Sequence, residues 1–168
     1  VGSDQRQTLE DVFPDRMLTL DFLDREASVN RVIGFAKAYP LDAVVSTDED
    51  AVTMAAMISS RLGLSHNPIE SVQATQNKYQ LRQMLTQAHV PTPKADLFSI
   101  TGVPEAIALH MTYPVVLKPI HLSASRGVIR ANNPEEFQAA FHRITKILAD
   151  REVVRRGKEF QTILVESF

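Results

Sequence analysis

The stretch YPVVLKPIHLSASRGVIRA, residues 113–131, constrains the fold of this chain more than any other. Two short apolar runs are joined by a polar loop that closes on Gly127, which is the pattern of a β-hairpin. Lys118 ends the first run, so its ammonium is delivered to a loop containing Ser123, Ser125, Arg126 and Gly127. Hydroxyls, loop N–H groups, a planar guanidinium and a lysine point charge are the parts of a phosphate clamp. An ordinary hairpin tip with a surface lysine has the same parts, and the stretch alone leaves both readings open.

The remaining sequence narrows the class. With 168 residues, 44% of them hydrophobic, the chain can bury a core of ordinary size, in one domain or two small ones. Its 18 basic and 20 acidic residues are intermixed, without the basic stripe that nucleic acid requires, so no nucleic-acid partner is expected. No apolar run has the length of a bilayer span and the first residues lack a signal-peptide pattern, so no membrane partner and a cytoplasmic location are expected. The absence of cysteine excludes disulfides, thiolate metal sites and cysteine nucleophiles. The chain starts on Val1 and stops in the strand-like TILVESF, which gives the expectation of a fragment.

Along the chain, RMLTLDF (16–22) reads as a strand and residues 28–39 as a helix capped by Ser28 and stopped by Pro40. LDAVVS (41–46) reads as a buried parallel strand. TDEDAVTMAAMISSRLG reads as a helix, with Thr47 and Asp50 in a capping-box-like start and Gly63 at its end. That alternation predicts a parallel α/β unit. The polar, proline-interrupted stretch after Leu64 marks a boundary, placed between 1–75 and 76–168. The second region then reads as α+β: a helix with Leu81, Met84, Leu85 and Ala88 on one face, a strand after VPTPK, a short helix, the hairpin, a helix from Asn133 to about Leu148, and a last strand over 162–166. Met54, Met57 and Met84 are expected in cores, and REVVRRGKE is expected to be a solvated loop.

Neither GxxxxGK[ST] nor a GxGxxG after a strand is present, so the P-loop and the dinucleotide fingerprint are excluded. VVLK has the look of a kinase lysine, but the loop follows it rather than precedes it, and no HRD segment exists. The order NKYQLRQMLTQAHVPTPKADLF, then YPVVLKPIHLSASRGV, then ILVESF resembles the ATP-grasp enzymes, and the resemblance covers most of the chain. Residues before Gln76 resemble the Rossmann-like domain that precedes the grasp, lacking its first strand and helix. The expected fold class is therefore α/β: a partial Rossmann-like domain followed by the small α+β ATP-binding lobe.

The resemblance implies a function and a site. Lys78 and Lys118 would contact the ATP phosphates, Ser123, Ser125, Arg126 and Gly127 would belong to the lid, and Glu166 would accept from the adenine amino group. The Ser167 and Phe168 backbone would line the adenine edge. ATP and Mg²⁺ are the implied cofactors, with the metal ligands and catalytic residues expected outside this chain, which alone should be inactive. The implied partners are a small-molecule carboxylate and amine, joined through an acyl phosphate in the manner of amino-acid ligases. A homodimer is compatible with the sequence without being read from it. Biotin carboxylase-like and purine-biosynthetic enzymes are the alternatives, as is a non-catalytic nucleotide-binding module. Glu49, after a strand-like run, is the substrate-side candidate, and His121 is the histidine placed to reach phosphate. His66, His89, His110 and His142 show no ligand spacing.

Overall fold

The computed structural model describes residues 2–3 and 14–168, and the chain divides into two units between Gln73 and Ala74. In the first unit, β1 (Gly2–Ser3) pairs in parallel with β2 (Leu18–Thr19). The strand expected over 16–22 is thus reduced to two residues. Asp24, not Ser28, caps α1 (Arg25–Ala36): its carboxylate accepts from Ala27 N at 3.1 Å, while the Ser28 hydroxyl donates to Asp21 O at 2.8 Å. The aspartate sits one position outside the helix, where a short acceptor can reach the unsatisfied N–H groups.

Residues 41–46 join no strand ladder among the described residues, contrary to expectation. A β-branched run becomes a strand only when another backbone pairs with it. Here Val45 is 87% exposed, while Leu41 and Val44 pack against the core of the unit. The chain then enters a 3₁₀ turn (Glu49–Ala51) and α2 (Val52–Leu62). The turn is capped by Asp48, which accepts from Asp50 N at 2.9 Å, rather than by the expected Thr47. Gly63 ends α2 in the left-handed conformation at φ 68°, as the sequence predicts. Leu20, Val29, Val32, Met54 and Ile58 form the buried core.

The polar stretch after Leu64 contains α3 (Ile69–Gln76), a helix that the sequence reading missed. Pro68 precedes it and supplies the carbonyl that accepts from Val72 N, so this proline begins the helix and does not interrupt it. In the second unit, α4 (Lys78–Gln87) starts at Asn77, whose side chain accepts from Tyr79 N and Gln80 N. Met84, expected in a core, is 38% exposed.

β3 (Ala95–Ser99), β4 (Val115–Pro119), β5 (Ile129–Ala131) and β6 (Thr162–Ser167) form a four-stranded antiparallel sheet in the order β3-β6-β4-β5. The expected hairpin is β4–β5. Between the strands run α5 (Pro104–Ala108), α6 (Pro134–Leu148) and α7 (Arg151–Arg155). Asn133 caps α6 by accepting from Glu136 N. The helix α7 replaces the loop expected at REVVRRGKE: Asp150 caps it, and Val153, only 2% exposed, anchors it in the core.

The pairing register decides which side of this sheet is packed. Val116 lies opposite Glu166 and Lys118 opposite Leu164, and side chains alternate along each strand. Val115, Leu117, Ile163 and Val165 therefore share one face, where they bury against Phe137, Phe141, Ile144 and Leu148 of α6. Burying each such large apolar side chain stabilises the unit by about 1.5–3 kcal/mol. The other face carries Val116, Lys118, Leu164 and Glu166.

Candidate functional site

On that second face the sheet and α4 bring three charges together. Lys118 and Glu166 are diagonal neighbours on β4 and β6, within reach of long side chains, and Lys118 Nζ pairs with Glu166 Oε2. Arg82, one helical turn beyond Lys78 on α4, donates from Nε to Glu166 Oε1 at 2.7 Å. Glu166 is only 4% exposed. Burial pushes its carboxyl up, but hydrogen bonds from Arg82 and Lys118, together with their charges, outweigh it and hold the group below its ordinary range. One buried carboxylate thus joins two cations, leaving the trio with a net positive charge.

Lys78 reaches the loop instead. Its ammonium donates to Ile120 O at 3.2 Å and Leu122 O at 2.7 Å, and its backbone N–H donates to Ile120 O at 3.3 Å. Helix α4 therefore holds the start of the 120–128 loop. His121 also serves this junction: Nδ1 lies 3.1 Å from Gln76 O, and the ring stacks against Phe160 at 4.4 Å between centroids.

Two consecutive turns wind the loop. Arg126 N donates to Ser123 O and Val128 N donates to Ser125 O, both at 3.1 Å. Ala124 and Ser125 have φ of 52° and 56° at the centre of the first turn, and Gly127 has φ of 80° in the second. Positive φ at both central residues matches a type I′ turn, and a glycine at the third position matches type II. Ser123, Ser125 and Arg126 are exposed, and Gly127 is half-buried.

Gly127 is held there by its surroundings. A Cβ at this position would lie 3.1 Å from both Cγ and Cδ of Pro119, in a backbone conformation that side chains resist. Gly127→Ala is expected to lower stability by about 1–3 kcal/mol, read by chemical denaturation; an unchanged midpoint would show that the loop does not depend on this turn.

At the end of β6, Ser167 N donates to Lys94 O at 3.0 Å and Phe168 N donates to Pro114 O at 3.3 Å. Ser167 Oγ accepts from Lys94 N, and the Arg130 guanidinium lies 4.0 Å from the centre of the Phe168 ring. The two N–H groups are thus used within the unit. Glu49 belongs to the first unit, exposed on its 3₁₀ turn. That unit contains a cleft of about 470 Å³ whose lining includes the apolar Leu20, Phe22, Val44 and Met54 and the polar Ser46 and Asp48, but not Glu49.

Lys78, Lys118, Glu166 and the loop belong to one unit and are linked through α4. Sequence reasoning missed Arg82, whose signal is its i+4 spacing from Lys78 on a helix otherwise read by its apolar face. Among the described residues no group of three or more His, Asp or Glu side chains is placed to hold a metal ion, and no helix is long and apolar enough to cross a membrane.

Comparison with known proteins agrees with this architecture. Residues 111–168 match the family model described as the ATP-grasp domain. The alanine–anticapsin ligase of Bacillus amyloliquefaciens is 24% identical over 143 residues, which span 85% of this chain and 30% of the relative. The crystal structure of an L-amino acid ligase from Bacillus licheniformis superposes with a TM-score of 0.65 at 24% identity, over 90% of this chain and 32% of that one. A biotin carboxylase domain of the Hydrogenobacter thermophilus 2-oxoglutarate carboxylase, crystallised as a dimer with MgADP, ADP and bicarbonate, gives 0.63 at 17% identity, over 90% and 34%. The family match covers the C-terminal third of the chain, and the likeness to these solved structures shows that the chain shares their fold. The chain spans about a third of the length of these relatives.

Proposed function

We propose that this chain is the ATP-binding portion of a ligase that joins a carboxylate to an amine, with amino acids as the reacting pair. The observation that carries the reading is the convergence of Lys118, the 120–128 loop and α4 on one unit whose sheet is packed on its other face, in a chain of ATP-grasp architecture. The similarity to an alanine–anticapsin ligase and an L-amino acid ligase over most of the chain supports amino acids as substrates.

In this reading Lys118 meets the nucleotide phosphates as a point charge, and the exposed Ser123, Ser125 and Arg126 form the donor surface that closes over them. Lys78 acts on the phosphates through the loop that it holds by Ile120 O and Leu122 O. The carbonyls at Ser167 and Phe168 present acceptors to the adenine edge. Glu49 is retained as the substrate-side candidate because it directly follows Asp48, which lines the cleft of the first unit. In the reaction a carboxylate oxygen bonds to the γ-phosphorus as the bond to ADP breaks. The amine nitrogen then bonds to the acyl carbon, phosphate leaves and the amine gives up a proton. Mg²⁺ would be held with residues beyond the described ones, among which no group of three or more acidic or histidine side chains is placed to bind it.

The test uses the full-length protein: ADP and phosphate release from Mg-ATP across pairs of amino acids, with mass spectrometry of the products. The expected result is release stimulated by an amino-acid pair and a product with the mass of their amide. Release only with bicarbonate and biotin would move the chain to the biotin carboxylase-like reading, which the equal coverage of the carboxylase domain favours. No release with any substrate would overturn the ligase reading.

A further inference from the structure

The geometry points to Arg82 as a positioning residue that frees Lys118 for nucleotide phosphate by remaining the counter-charge of Glu166. This inference rests on the reading in which Lys118 meets phosphate. In the structure the Lys118 ammonium is committed to Glu166 Oε2, and the other carboxylate oxygen is held by Arg82 Nε at 2.7 Å. A phosphate can draw Lys118 away only if the carboxylate it leaves remains compensated, because a buried carboxylate left unpaired is strongly destabilising. Glu166 is 4% exposed and water cannot take over. Arg82 can: it approaches from α4 rather than from the sheet, on a separate oxygen, so its bond does not depend on where Lys118 points.

The trio also has the correct sign for this exchange. Two cations and one anion leave one positive charge, and an arriving phosphate completes the balance. Arg82 suits the lasting role because its guanidinium stays protonated and tolerates partial burial better than an ammonium, whereas the compact ammonium of Lys118 suits the mobile one. Without Arg82, Lys118 becomes the single counter-ion of a buried carboxylate, and every phosphate bond must compete with that pair.

The experiment compares ATP and adenosine binding by calorimetry in the full-length protein, as wild type, Arg82→Gln and Arg82→Lys. Arg82→Gln is expected to weaken ATP binding about tenfold or more, because phosphate binding must then strand a buried charge. Adenosine affinity is expected to stay within about twofold, since adenosine draws nothing away from Glu166. Arg82→Lys, which keeps a cation, is expected to recover most of the loss. Equal losses for ATP and adenosine would mean that Arg82 only supports the fold, and an unchanged ATP affinity would show that it has no part; either result overturns the assignment. Should Arg82→Gln not fold, Arg82→Lys carries the test: it is expected to weaken ATP binding about threefold with adenosine affinity unchanged, and an equal change for both ligands would overturn the assignment. A wild-type protein that binds no ATP would overturn the nucleotide reading itself, which separates that failure from one of Arg82.

Discussion

Glu166→Ala lowers the stability of the second unit by about 3 kcal/mol, the low end of what breaking a buried ion pair costs. The carboxylate sits between Lys118 and Arg82, whose side chains are 13% and 23% exposed, and its removal leaves both cations facing each other with no anion between them. The low end applies because Arg82 retains some contact with water. The same carboxylate sets the acid response. Its folded-state pKa is depressed, so its stabilisation is fully present above the unfolded value of about 4.3 and is lost as pH falls through the folded value. Denaturation of wild type and Glu166→Ala should therefore differ most above about pH 5 and converge in acid. A constant difference across that range would mean that the loss comes from packing, not from charge.

How much of this was legible in the sequence depended on how far apart the interacting residues lie. The hairpin of β4 and β5, the capped helix α6 and the strand β6 carry local signals, and the structure has all three. A β-branched run at residues 41–46 carries the same local signal, yet no described strand pairs with it, because a ladder partner is a tertiary matter. In α7 the alternating charges mask the one fact that decides the helix, the burial of Val153. In α4 the apolar pattern placed Met84 inside, whereas the charged residues Lys78 and Arg82 make the bonds that tie the helix to the loop and the sheet. The candidate residues Lys78, Lys118 and Glu166 follow from a motif order, which says nothing of what each side chain bonds. Arg82 and Glu166 are 84 positions apart, and no window of sequence shows that they meet.

Lys118→Met is the second large effect, and it falls on binding, not on folding. Methionine has nearly the length of lysine and keeps its apolar stem, so the contacts of β4 survive, and Glu166 retains Arg82 as its partner. What is lost is the charge that the ATP-grasp reading assigns to the phosphates. A hydrogen bond to a charged group contributes about 1.5–3 kcal/mol, which corresponds to a loss of roughly 10- to 100-fold in ATP affinity.

The most direct measurement is a calorimetric titration of Mg-ATP into the full-length protein, wild type beside Lys118→Met, with folding of both checked by circular dichroism. The account predicts saturable binding by wild type and an affinity at least about tenfold lower for the variant. Equal affinities in two folded proteins, or no binding by wild type, would contradict the placement of a nucleotide on this face of the sheet.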